Sequence, residues 1–102
     1  MSAYRVTETE VGKAVLAILA DTSSGGASIA SLKAEIPKYL KLSEIDRTPS
    51  TTRPGEELWE QQVRNLVSHR GTAGNVICEG YVDYKPRYLK ITERGWKRAK
   101  GT

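Results

Sequence analysis

The chain has 102 residues, 38% of them hydrophobic and 27% charged, with a formal net charge of +4, which fits one small globular domain and excludes collagen, wholesale disorder and a coiled coil. The longest unbroken apolar run, Ala14 to Ala20, is far short of the roughly 20 residues that cross a bilayer, and no leader pattern opens the chain, so a cytoplasmic protein is expected. A single cysteine, Cys78, and a single histidine, His69, exclude an internal disulfide and a tetrahedral zinc site.

Thr7 and Glu10 stand at capping-box spacing and Val11, Val15 and Ile18 follow on one helical face, predicting a first helix from about residue 8 to about residue 20. It runs into the turn formers Asp21-Thr22-Ser23-Ser24-Gly25-Gly26. Ser28 then caps a second helix with the stripe Ile29, Leu32 and Ile36, which Pro37 kinks or ends. Tyr39, Leu40 and Leu42 continue the core, and the breaker-rich stretch Thr48 to Gly55 reads as a surface loop.

A third helix is predicted from near Glu56 to about Arg70, with Glu56 and Glu57 complementing its positive N-terminal dipole. Trp59, Val63, Leu66 and Val67 fall on one side of it and Gln61, Arg64, Asn65 and Ser68 on the other. An ordinary solvent face mixes Glu and Lys. A face of Gln, Arg, Asn and Ser is instead the set that reads base edges, Arg pairing with guanine and Gln or Asn with adenine. After Gly71 to Asn75, the segment Val76 to Glu79 fits either a helical turn or the start of a strand, closed by Gly80. Cys78 reads as a small core hydrophobe. Tyr81 to Tyr84 and Arg87 to Ile91 flank Lys85-Pro86 as a short antiparallel hairpin with a basic tip. Thr92 caps a last helix through Lys100, anchored by Trp96, where Lys97, Arg98 and Lys100 complement the C-terminal dipole.

Charge is distributed unevenly along this order. The first 52 residues carry six basic and six acidic side chains, whereas Gln61 to Thr102 hold nine Lys or Arg against Glu79, Asp83 and Glu93, a net +6 interleaved with Tyr81, Tyr84, Tyr88 and Trp96. Such a half is suited to a polyanion or an acidic surface.

The string Tyr88-Leu89-Lys90-Ile91-Thr92-Glu93-Arg94-Gly95-Trp96 resembles the strand-to-helix junction of winged-helix domains, with Gly95 permitting close packing. Leu58 to Leu66, together with Glu79-Gly80-Tyr81, is similar to the N-terminal winged-helix domain of Mrr-type restriction enzymes. The likeness covers roughly residues 8 to 100, and the Gly71 to Asn75 insert departs from it by lengthening the link to the wing. The resemblance implies an α+β winged helix-turn-helix, with a three-helix core, a β-hairpin wing and a C-terminal helix, as a single domain over residues 1–102 with flexible ends at 1–6 and 101–102.

It also implies binding of double-stranded DNA, by a regulator or a specificity module of a restriction or defence system. Gln61, Arg64, Asn65 and Ser68 would then face bases, and Arg53, Arg70, Lys85, Arg87 and Lys90 phosphates. Thr51 and Thr52, just before the helix, offer hydroxyls and amides to a phosphate. A homodimer or a partner nuclease subunit is the expected protein partner, since paired recognition helices one DNA turn apart raise affinity. The alternative readings are a protein-interaction winged helix using the Trp59 helix with Tyr81, Tyr84 and Tyr88, and RNA binding through stacking tyrosines.

Catalysis is not expected. No Glu-x-Lys stands in the sequence to hold magnesium, His69 has no paired nucleophile and reads as a flanking helix residue, and Gly25-Gly26 lacks the Lys-Ser/Thr sequel of a phosphate loop. No metal or cofactor is expected.

Overall fold

In the computed structural model residues 5–100 are described; of the ends read as flexible, 1–6 and 101–102, residues 1–4 and 101–102 lie outside the described residues. The chain forms α1 (Glu8–Asp21), β1 (Gly26–Ser28), α2 (Ile29–Tyr39), α3 (Glu60–Ser68), β2 (Val82–Lys85), β3 (Tyr88–Ile91) and α4 (Glu93–Ala99). The architecture is α+β, with an antiparallel sheet in the order β1-β3-β2. Among the described residues no helix is long and apolar enough to cross a membrane.

Helix α1 starts where its capping box places it: the Thr7 side chain accepts from the Glu10 amide and Glu10 reaches back to the Thr7 amide at 2.9 Å. Val11, Val15 and Leu19 of its inner stripe are completely buried against Leu32 and Ile36 of α2 and Val63 and Leu66 of α3. Each such aliphatic side chain contributes roughly 1.5–3 kcal/mol by leaving water. The Ser28 hydroxyl accepts from the Ser31 amide and starts α2, which continues through Pro37 to Tyr39. Leu40 and Leu42 pack on the core, while Tyr39 turns outward and donates to Asp21 at 2.8 Å.

Four expectations are corrected. Gly26 opens a strand, Gly26–Ser28, and does not close the turn before it, because β3 offers a free edge: Gly26 pairs with Lys90, Ala27 with Leu89 and Ser28 with Tyr88. Three residues containing a glycine carry no periodic signature of a strand. Helix α3 begins at Glu60 and not near Glu56, because Glu56–Leu58 is tied to the preceding loop: Ser50 donates to the Glu56 carbonyl, Leu58 donates to the Thr48 carbonyl, and Pro49 bridges Glu57. Cys78 is exposed, since Val76 and Ile77 take the inward positions of their turn. Trp96 is 39% exposed, with the Lys100 ammonium 4.7 Å from its ring, and the buried residue of α4 is Gly95.

The link from α3 to the sheet is neither helix nor strand. The Asn75 side chain, buried, donates to the Leu66 carbonyl at 2.8 Å and accepts from the Ile77 amide, tying the extra residues to the end of α3. Gly80, at φ 82°, ends the segment. At the other side of the sheet Thr92 accepts from the Gly95 amide and donates to the Gly80 carbonyl. A Cβ on Gly95 would overlap the Tyr81 carbonyl oxygen; glycine is what lets α4 lie on the strand.

Candidate nucleic-acid interface

Helix α3 divides into two faces as its sequence pattern dictates. Trp59, Val63 and Leu66 are buried, whereas Gln61 and Ser68 are exposed and Arg64 and Asn65 half-buried. The four polar residues therefore lie on the outward side, and two of them are engaged within the protein. Asn65 donates to the Gln62 side chain at 3.2 Å. Arg64 forms an ion pair and hydrogen bond with Glu56.

The hairpin is built by Val82 pairing with Ile91 and Lys85 with Tyr88, around the two-residue turn Pro86-Arg87. Arg87 has φ +62°, and among the described residues it is the non-glycine residue in that region. The conformation costs an L-residue on the order of 1–2 kcal/mol. Proline presets the first turn position and the second then demands a positive φ, where glycine is the usual residue. The Arg87 carbonyl accepts from the Ile29 amide at 2.9 Å, which fastens the tip to the start of α2.

This fastening brings the tip of the hairpin beside α3. Ile29, Val63, Arg64, Val67, Tyr84 and Arg87, with Ser68 at the end of the helix, line a groove of about 270 Å³. Arg70 lies over the Tyr84 ring at 4.6 Å and donates to the Val67 carbonyl, so it borders the same region. On the other side of Arg64, Thr52, Arg53, Pro54 and Glu56 line a shallow cleft. Thr51, Thr52 and Arg53 are exposed, the Ser50 hydroxyl holding the Thr52 and Arg53 amides at 3.2 and 3.1 Å.

The structure thus assembles the loop at 52–56, the outer face of α3 and the Arg87 tip into one surface. It does not bring every expected contact there. Lys85 and Lys90 point to the sheet face opposite the buried Val82, Leu89 and Ile91, and Lys90 has Asp83 as its cross-strand neighbour. Trp59 is 4% exposed, so the helix presents its polar stripe and not its tryptophan.

Two residues of the surface were not anticipated as part of it. Glu56, read only as a dipole partner, is its acidic centre: Lys33 of α2 lies 3.2 Å from one carboxylate oxygen, and Arg64 pairs with the other. Lys33 also reaches Glu60 at 3.6 Å. Partial burial raises the Glu56 carboxyl, but hydrogen bonding and charge from Lys33, then from Arg64, outweigh it and hold the group below the usual glutamate range. Nothing in the spacing of Lys33 and Glu56 announces the pair, because it is made by tertiary packing. His69 closes the far end of α3 with a 2.7 Å hydrogen bond to Glu8. Among the described residues no group of three or more His, Cys, Asp and Glu is placed to hold a metal ion.

No protein family, curated protein or solved structure matches this chain.

Proposed function

We propose that the chain is a winged helix-turn-helix domain that binds double-stranded DNA, with α3 in the major groove and the Arg87 hairpin as its wing. The observation that carries the reading is the groove shared by Arg64, Ser68 and Arg87: a helix with a polar outer stripe stands next to a hairpin tip carrying a positive charge. The order of elements supports it as well, since helix, short strand, two helices and a hairpin whose second strand pairs with the short one is the winged-helix arrangement.

In this reading the tasks divide by chemistry. Arg64, Gln61, Asn65 and Ser68 meet base edges, where hydrogen-bond donors and acceptors distinguish the pairs. Arg53, Arg70 and Arg87, with Thr51 and Thr52, meet phosphates and set the register of the helix. Lys85 and Lys90 add to the positive field of the wing from its outer face. The role is that of a regulator or of a specificity module in a restriction or defence system, with a second copy or a nuclease subunit as partner.

Fluorescence anisotropy of a labelled duplex over a salt series tests the proposal. Affinity is expected to fall steeply as salt rises, through release of counterions from the phosphates. An affinity independent of salt, or no duplex binding at low ionic strength, would instead favour a protein partner.

A further inference from the structure

The half-buried Arg64 guanidinium on the outward stripe of α3 already has an anionic partner. Its own side chain is 27% exposed and that of Glu56 18%, so the pair is shielded from salt better than a pair at the open surface. The two oxygens of Glu56 are divided between two cations, Arg64 on Oε1 and Lys33 on Oε2, and Lys33 is shared in turn with Glu60. Two cations and two carboxylates cancel, leaving this part of the surface neutral between the cationic loop at Arg53 and the cationic tip at Arg87.

A carboxylate and the O6 and N7 edge of guanine offer an arginine the same thing, a pair of acceptors that its planar fork can bridge. A phosphate approaching this surface meets the negative charge of Glu56 as well as Arg64. A guanine edge carries no net charge and replaces the carboxylate in kind. Lys33 matters for the exchange, because it stays on Oε2 when Arg64 leaves and keeps the released carboxylate from being stranded.

We infer that Glu56 is a specificity-determining residue of the α3 surface: it occupies Arg64 in the free protein and yields it to a guanine edge, so that duplex lacking a correctly placed guanine is held weakly. The inference rests on the DNA-binding reading and deepens it. Glu60, whose carboxylate touches Lys33 with one oxygen and accepts from the Glu57 amide with the other, provides a charge-matched comparison within the same cluster.

The test measures binding of a random-sequence duplex pool by the wild type, Glu56→Gln, Glu60→Gln and Arg64→Gln, with sequencing of the bound fraction. Glu56→Gln is expected to tighten random-pool binding about tenfold and to flatten the guanine preference, while Glu60→Gln gains about twofold from charge alone. In the Arg64→Gln background the Glu56→Gln gain should shrink to that of Glu60→Gln, the signature of a coupled pair. Glu56→Asp keeps the charge but shortens the reach, and a gain of a few-fold is expected from it too; this variant carries the test should Glu56→Gln fail to fold by circular dichroism.

Equal gains from Glu56→Gln and Glu60→Gln, a gain that persists without Arg64, or weaker binding by Glu56→Gln would each overturn the inference while leaving DNA binding intact. Absence of duplex binding by the wild type and all variants at low salt would overturn the DNA-binding reading itself, and the inference with it.

Discussion

The backbone amide of Val6 donates to the buried carboxylate of Asp46, forty residues along the chain, at 3.0 Å. The other oxygen of Asp46 accepts from the Ser43 amide at 2.9 Å and from the Ser43 hydroxyl at 3.1 Å, and the Asp46 carbonyl accepts from Trp59. The side chain of Asp46 thus joins the segment entering α1 to the turn after α2, and its backbone carbonyl ties the same point to the approach to α3. Val6, inside the stretch read as a flexible end, is 3% exposed in consequence.

Asp46→Ala removes the acceptor of the buried Val6 amide and of the Ser43 amide at a half-buried position. The expected loss of stability is about 2–4 kcal/mol, since each stranded donor costs roughly 1–3 kcal/mol. Urea denaturation checks it, with a lowered midpoint and an unchanged slope. A loss below about 0.5 kcal/mol, the range of ordinary surface substitutions, would show that the segments at Val6 and Ser43 do not depend on the Asp46 carboxylate.

Much of this framework is written locally in the chain. The capping box of Thr7 and Glu10, the caps at Ser28 and Thr92, the apolar stripes and the Lys85 to Tyr88 turn depend on residues within a few positions of one another, so spacing alone exposes them. What spacing hides is made by distant pairing. Strand β1 exists because β3 lies beside it, α3 starts late because Ser50 and Thr48 tie Glu56–Leu58 to the preceding loop, and Asp46 is buried because three segments converge on it. The candidate surface divides in the same way: the outward stripe of α3 was legible from its period, whereas the Lys33–Glu56–Arg64 cluster, like the placement of Lys85 and Lys90 on the far face of the sheet, was set by packing.

Gly95→Ala is expected to destabilise the domain by roughly 2–3 kcal/mol or more, the cost of overpacking at a site with no room to relax. The added methyl would meet the Tyr81 carbonyl and, at 2.8 Å, the Ile91 Cγ1. The alanine has the higher helix propensity, so a thermal melt that rises would show that helix formation outweighs the contact.

The tip of the hairpin separates stability from binding. Arg87→Gly removes the left-handed strain but adds freedom to the unfolded chain, and the two effects nearly cancel, to within about 0.5 kcal/mol. Arg87→Val, β-branched at φ +62°, should lose about 1–2 kcal/mol. Both remove one charge and should lower the slope of log affinity against log salt by about 1 if Arg87 meets a phosphate. Thermal melts and the salt series read the two quantities independently.

Acid stability reports on Glu56. Its carboxyl titrates in the folded protein below its ordinary value of 4.5, so the folded state binds that proton less readily than the unfolded one. The stabilisation is complete above the unfolded value and lost as pH falls through the lower folded one. Stability of the wild type should therefore decline as pH is taken below about 4.5, and Glu56→Gln should decline less steeply over the same interval. Equal slopes would mean that Lys33 and Arg64 do not hold the carboxylate.

The placement of the DNA face is tested most directly by following the backbone amide signals of the isotopically labelled domain as a duplex is added at low salt. The account predicts that the largest shifts fall at Thr52 and Arg53, along Gln61 to Ser68 and at Arg87, the three segments that form one surface. Shifts concentrated on α4 around Arg94 and Arg98, or none at all, would contradict it.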